Sequence, residues 1–413
     1  MNRIILIGNG FDLAHGLPTS YQEFITDYCT KWRKRLRTSA RKREEDGLCK
    51  FLLDYDSLPL SWKIGQYRDC EFSELIKSLL NDKELRINIS PLLLHIFETM
   101  NIRNWVDLEE VYYKVLKDIA SQETVGYDSP KDLDQDLKVL KEILIQYLSQ
   151  ISIDKSIIKP LIQELIYEPI QVQDISVAGK TFLDDFLRHR LKAEESEIKA
   201  ILLKYKLPLF DYLPEIIEYQ RRTPLFEDHL KKFSNKANTI PDYFTLPDNI
   251  LLLNFNYTNT ANFYIEGSFV AKINHIHGVL ATPESVIFGY GDELDSDYEK
   301  LKSLNNNDFL QNMKSIKYLE SDNYRKLLLF ADSAPFQIYI MGHSCGISDR
   351  TLLNTLFEHK NCISIKPFYY QISDTEDNYL EIVQNISRNF NNMQTMRDKV
   401  VNKTFCKPFS VKS

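Results

Sequence analysis

The sequence predicts an α/β protein: a Rossmann-like, mainly parallel sheet carrying a large α-helical insertion. Three observations predict it. A β-branched run, Arg3-Ile4-Ile5-Leu6-Ile7, stands at the start and is closed by Gly8, the pattern of a strand buried on both faces. Strand texture returns in the last third, between helical stretches, and such alternation specifies a parallel sheet. The glycines mark the same division. There are 13 among 413 residues, well below the usual share of about 7%. Gly8, Gly10 and Gly16 fall in the first sixteen residues, and Gly267, Gly278, Gly289, Gly291, Gly342 and Gly346 fall between 267 and 346. Only Gly47, Gly65, Gly126 and Gly179 serve the stretch between. Glycine is kept where backbone turns tightly or approaches a ligand, so the two clusters mark the candidate site.

The elements follow in order. Residues 3–7 form the first strand, and because the chain enters it almost at once, that strand is expected at the sheet centre. The turn Gly8-Asn9-Gly10-Phe11-Asp12 leads, past Gly16 and Pro18, to a helix starting near Tyr21 with Phe24, Ile25, Tyr28 and Trp32 on one face. Strand, glycine turn and helix is the layout of a phosphate-binding corner. From about 33 to 245 the spacing is helical. Leu133, Leu137, Leu140 and Leu144 carry it, as do Phe182, Phe186, Leu187 and Leu191, and then Ile198, Ile201 and Leu202. Strands are expected at 249–255, 271–276, 285–288, 337–341 and 362–365. Helices are expected at 260–265, 301–330 and 349–359. The chain therefore reads as residues 1–32, the first part of a nucleotide-binding core; 33–245, a helical insertion; 246–372, the second part of the core; and 373–413, a C-terminal helical segment.

Charge and cysteine content narrow the function classes. Lys and Arg total 51 against 58 Asp and Glu, a net −7, which argues against a dedicated nucleic-acid coat. A basic run at 31–43 (Lys31, Arg33, Lys34, Arg35, Arg37, Arg41, Lys42, Arg43) reads as a solvated helix face. The six cysteines form no Cys-x-x-Cys pair, so neither a zinc ribbon nor a redox motif is read and no metal is expected. The segment 292–297 lacks the glycine and terminal glutamate of a calcium loop. The run 4–7 is too short for a signal-peptide core, and no stretch approaches the roughly 20 apolar residues of a membrane span. A cytoplasmic protein without a membrane partner is expected.

Four motifs carry candidate chemistry, each beside a plainer reading. The 8–12 turn leaves backbone N–H groups to face a pyrophosphate. It lacks the Gly-x-Gly-x-x-Gly register and the Gly-Lys-Ser/Thr of a P-loop, and an ordinary tight turn is the alternative. Asn254-Phe255-Asn256-Tyr257-Thr258 follows a Leu-rich strand, where open α/β sheets bind ligands; the alternative is a helix cap from Asn256 or Thr258. Asn274-His275-Ile276-His277-Gly278 places two histidines on one side if the strand continues. No third metal ligand is evident, and a single histidine acting as base or orienting group is the stronger reading. Met341-Gly342-His343-Ser344-Cys345-Gly346-Ile347-Ser348-Asp349 repeats strand, glycine turn and helix, with Ser348 or Asp349 as cap. Its Gly342-x-Ser344-x-Gly346 fits a hydrolase elbow, but only His359 lies downstream to complete a triad.

The order of these motifs resembles a known family. The opening Ile-Leu-Ile-Gly-Asn-Gly-Phe-Asp-Leu-Ala-His-Gly-Leu-Pro-Thr-Ser-Tyr-x-x-Phe is similar to that of the AbiH family of bacterial phage abortive-infection proteins. So are Asn-Phe-Asn-Tyr-Thr at 254–258, His-Ile-His-Gly at 275–278, Phe-Gly-Tyr-Gly-Asp at 288–292 and Gly-His-Ser at 342–344. The same order resembles the sirtuin-like NAD-consuming fold. Gly8, Gly10, Gly16 and Pro18 match its opening, Asn256-Tyr257-Thr258 its Asn-Tyr-Asp, His277-Gly278 its His-Gly, and Gly342-His343-Ser344 its late Gly-x-Ser, with Asp349 following. The zinc-binding cysteine pairs of protein-deacylating sirtuins are absent, which disfavours deacylation.

The resemblance implies an anti-phage effector that hydrolyses NAD at the nicotinamide–ribose bond. NAD is then substrate, held by Gly8, Asn9, Gly10, Phe11, Asp12, Gly16, Gly342, His343, Ser344 and Asp349. Asn256 orients the water or the ribose. His277 acts as base or holds the ribose hydroxyls. Thr258 stands where the fold places an aspartate, which favours the alternative of a non-catalytic nucleotide-binding sensor. The helical block offers surface for oligomerisation, phage sensing or autoinhibition, and its texture leaves these open.

Overall fold

The computed structural model describes residues 1–39, 43–53, 85–98, 105–123, 126–193, 195–221 and 241–411. Arg41 and Lys42 of the basic run, Gly65 and Cys70 lie outside these. The chain forms two compact units: Met1–Leu17, Ile153–Val286 and Tyr318–Ser413 make the first, Pro18–Ser152 and Ile287–Lys317 the second. The strands are β1 (Asn2–Ile7), β2 (Arg43–Glu45), β3 (Cys49–Leu53), β4 (Leu85–Ile89), β5 (Ile250–Asn254), β6 (Ala271–His275), β7 (Phe336–Met341), β8 (Cys362–Gln371) and β9 (Pro408–Val411).

The first unit is built on a six-stranded sheet in the order β6-β5-β1-β7-β8-β9, with every pair parallel. β1 is central, as its unbroken apolar run requires: Ile5 pairs with Leu252 on one side and Tyr339 on the other. Every residue of β1, β5 and β7 is buried, whereas in the edge strand β6 only Ala271 and Asn274 are. From β1 the chain adds β5 and β6 on one side, then crosses to add β7, β8 and β9 on the other. Strand order therefore reverses at β1, and the crevice for a ligand is expected at the carboxyl ends beside it. The helix Pro160–Tyr167 lays Ile162, Leu165 and Ile166 on a core that includes Ile5, Ile7 and Leu252. The helix Lys180–Lys192 packs Leu183, Leu187 and Leu191 with Met1 and Ile363. Apolar burial of this kind is the main driving term, at about 25 cal/mol per Å².

Several expected elements differ. No strand forms at 285–288; a 3₁₀ turn occupies Pro283–Ser285, and Val286, Ile287 and Phe288 are buried as irregular chain. The expected helix 301–330 is broken into Ser296–Ser303, Asn307–Leu310, Lys314–Lys317, Tyr318–Glu320 and Asn323–Ser333. Asn305 at φ +52° ends the first piece, a left-handed conformation that asparagine tolerates better than most residues. After the helices Tyr379–Arg388 and Met393–Lys399 the chain forms β9, which pairs with β8.

The second unit contains an antiparallel sheet, β2-β3-β4, inside the stretch read as helical. Around it lie Tyr21–Thr38, Pro91–Glu98, Trp105–Ala120 and Pro130–Leu148. The first of these starts with a capping box between Ser20 and Glu23 and buries Phe24, Ile25, Tyr28 and Trp32. In the described part of the basic run, Lys31 pairs with Asp27 at 2.7 Å and Arg35 with Glu44 at 2.5 Å. A buried ion pair joins Lys314 to Glu109 at 2.7 Å. Among the described residues no helix is long and apolar enough to cross a membrane.

Candidate functional site

Two glycine turns meet at the carboxyl ends of β1 and β7. Ile7 bridges Gly342, Gly10 N–H donates to Gly342 O at 2.8 Å, and Gly8 N–H to Met341 O at 3.4 Å. The fit is backbone on backbone. A Cβ on Gly8 would stand 2.5 Å from His343 Cα, and one on Gly342 would stand 2.1 Å from Phe11 N. Gly342 also sits at φ +79°, where an L side chain is strained. Phe11 N–H donates to Gly8 O at 2.9 Å. The expectation of N–H groups facing a pyrophosphate is therefore corrected for Gly8, Gly10 and Phe11, whose N–H groups hold the turns together. Gly16, at φ +77°, meets nothing within 4 Å and closes a turn.

Asp12 and the segment after β5 form the second part. Asp12 is only 1% exposed and accepts the Thr258 hydroxyl at 2.6 Å. Burial pushes its carboxyl up to about 6, against the pull of hydrogen bonds from Thr258, Thr260 and Asn256. Asn256 Nδ2 donates to Gly8 O at 3.0 Å, and Asn256 N–H donates to Asn254 Oδ1 at 3.1 Å. The capping alternative is thereby replaced. Asn259 stands at the cap position of the 3₁₀ helix Thr260–Tyr264 without a side-chain cap bond, while Asn256 and Thr258 tie this segment to the 8–12 turn.

The third part is a carboxylate between two imidazoles. Asp349 Oδ1 lies 3.3 Å from His277 Nε2, and Asp349 Oδ2 lies 3.6 Å from His343 Nε2. Cys345 N–H donates to His343 Nδ1 at 2.9 Å, so Nδ1 is the acceptor and the His343 proton sits on Nε2, facing Asp349. Cys345 makes this contact at φ +55°, and burial raises its thiol pKa. Phe255 packs on both rings, 5.1 Å from His277 and 4.1 Å from His343. Tyr318 Oη lies 3.2 Å from His277 Nε2. His277, His343 and Asp349 are all buried. Asp349 stands at the cap position of the helix Arg350–Phe357 but makes no side-chain cap bond; its carboxylate faces the histidines.

The two histidines of the 274–278 motif part company because β6 stops at His275. His275 Nδ1 turns to Asn254 Nδ2 at 3.0 Å, and burial lowers its pKa, keeping the ring neutral. His277 Nε2 instead faces Asp349, and Gly278, at φ +82°, turns the chain directly after it. Ser344 presents its carbonyl to Asn385 Nδ2 at 2.9 Å, which fixes the 342–346 loop from the helix Tyr379–Arg388.

The structure thus brings Asn256, His277, His343, Asp349, Asp12 and the glycines 8, 10 and 342 to one edge. Phe255 lay within a quoted motif, though its bridging of two rings had no signal in sequence. Tyr318 lay in the broken helical stretch and carried none. Chemically, a carboxylate shared by two imidazoles can orient both rings and steady a proton on either. Among the described residues no group of three or more His, Cys, Asp and Glu is arranged to hold a metal ion. Residues 4–371 match the family model described as bacteriophage abortive infection AbiH. No curated protein and no solved structure matches.

Proposed function

The chain belongs to the AbiH family of bacteriophage abortive-infection proteins, and from that premise we propose that it acts against phage by hydrolysing NAD at the nicotinamide–ribose bond. The observation that carries this reading is the placement of Asp349 between His277 and His343 at the carboxyl ends beside the reversal of strand order. Cleavage of the C1′–N bond returns its electron pair to the pyridinium ring, so nicotinamide leaves neutral and needs no acid. Water supplies the new C1′–O bond through an oxocarbenium-like transition state. His277, oriented by Asp349, takes the proton from that water. Asn256, anchored on Gly8 O, positions the water or ribose. Phosphate contact is assigned to the half-exposed Asn9 and Ser344.

The test is release of nicotinamide from NAD by purified protein, with and without phage lysate as the source of a trigger. Release supports the reading; no release under either condition overturns it. A second reading, a nucleotide-binding sensor, is favoured by the Thr258–Asp12 bond, which engages the Thr258 hydroxyl in the protein interior. NAD binding without turnover in the presence of lysate supports the sensor.

A further inference from the structure

The first unit holds a cavity of about 610 Å³, a size typical of small-molecule sites. Its lining includes Leu246 and Val270, which precede β5 and β6, so it lies at the amino ends of strands whose carboxyl ends carry the candidate site. A five-residue strand separates the two ends by roughly 17 Å.

Three kinds of group line it. The half-buried Tyr167, Tyr205 and Tyr212 form aromatic walls, and the buried Tyr243 and Tyr264 border them. Tyr167 meets Tyr205 edge to face at 6.5 Å, and Tyr212 meets Tyr243 at 5.1 Å. Hydroxyl bonds fix two of these rings: Tyr167 donates to Tyr264 O at 3.0 Å and Tyr205 to Pro247 O. Four carboxylates lie in the lining: Glu164, Asp242 and Glu266 are exposed, and Glu168 is largely buried, accepting from Tyr339 at 2.9 Å with Lys366 at 3.5 Å and Lys407 at 3.8 Å. Three exposed ammonium groups, Lys204, Lys206 and Lys407, complete it. Fixed aromatic faces take a planar base. A carboxylate accepts from ribose hydroxyls or exocyclic amines, and ammonium groups take phosphate. We propose that this cavity is a second ligand site, for a nucleoside phosphate, and that its occupancy is transmitted to the carboxyl edge.

The link is Tyr264. Its hydroxyl accepts from Lys159 N–H at 2.8 Å and donates to His15 Nε2 at 2.5 Å. His15 Nδ1 in turn donates to Phe11 O at 2.6 Å. Phe11 packs on both rings, 4.7 Å from His15 and 5.5 Å from Tyr264, and belongs to the turn locked against Gly342. A ligand pressing on Tyr264 therefore acts on the 8–12 turn. The binding half stands on the cavity alone; the coupling half rests on the proposed edge site.

The experiment is calorimetric titration of the full chain with AMP, adenosine, inorganic phosphate and choline. AMP is expected to bind, adenosine more weakly, and phosphate and choline not at all. Lys204→Glu with Lys206→Glu, both surface changes, is expected to weaken AMP at least tenfold, while His277→Ala leaves it unchanged. Absence of AMP and adenosine binding overturns the proposal, as does choline binding in their place. AMP binding lost in His277→Ala and kept in the lysine variant moves the ligand to the carboxyl edge and also overturns it. Coupling is read by hydrogen exchange of amides 8–15, independent of any turnover. AMP is expected to raise their protection in wild type and to leave it unchanged in Tyr264→Phe; equal protection changes in both remove Tyr264 as the link.

Discussion

Thr258 donates its hydroxyl to Asp12 at 2.6 Å, joining the loop after β5 to the first helical turn after β1. The bond forms at a carboxylate whose burial has raised its pKa to about 6 from 3.8. A raised carboxyl pKa means that the folded state holds the proton longer than the unfolded chain does. The stability from this group is full below pH 4 and is lost as pH rises through about 6, a swing of about 3 kcal/mol. Asp12→Asn is expected to flatten that loss. Urea unfolding at pH 4.5 and 7.5 checks it: the wild type should weaken between the two, and the variant much less. A parallel drop in both would remove Asp12 as the source.

The carboxylate shared by His277 and His343 makes a graded prediction for catalysis. His277→Ala is expected to lower nicotinamide release at least 100-fold, in line with loss of a general base. Asp349→Asn keeps the shape but loses the charge, and is expected to cost about tenfold or more while lowering the apparent pKa of the rate profile. Unchanged release by His277→Ala would remove that residue from the chemistry.

Gly342→Ala and Gly16→Ala separate contact from conformation. Both positions have positive φ, yet a Cβ meets backbone at 2.1 Å in one and nothing in the other. Gly16→Ala is expected to cost about 1 kcal/mol from the left-handed conformation alone. Gly342→Ala adds a clash that neither turn can absorb and should cost at least about 3 kcal/mol. Denaturation midpoints of the two variants decide it.

In the second unit, the buried Lys314–Glu109 pair predicts a non-additive double mutant. Removing one partner strands a charge and is expected to cost about 3–5 kcal/mol. Glu109→Leu with Lys314→Met together is expected to be much milder. Equal losses for single and double variants would show that the pair contributes little through charge.

Much of the first unit was legible because its strands state their environment. β1, β5 and β7 are unbroken apolar runs, and that is how strands covered on both faces must read. The same rule misled at 285–288, where Val286, Ile287 and Phe288 are buried as irregular chain after a proline turn. In the β2–β4 sheet only β4, Leu85-Arg86-Ile87-Asn88-Ile89, alternates apolar and polar residues, while Arg43-Glu44-Glu45 has no apolar face, so one short alternating run stood alone in a stretch of helical spacing. At the edge, the motifs located Asn256, His277 and Asp349, but not their relations. Asp349 looked like a helix cap because caps and ligands draw on the same residue types. That its carboxylate turns to two histidines depends on where β6 and β7 end, which local pattern does not encode.

The interlock of the two glycine turns also sets a timetable for synthesis. β1 leaves the ribosome first, yet its neighbours β5 and β7 end at Asn254 and Met341. At about 5–20 residues per second, that strand waits on the order of 20–70 s for its second partner. Until then an apolar edge stays open and the carboxyl edge has only half its walls. A chain that stops short of Met341 therefore lacks the second wall of the carboxyl edge.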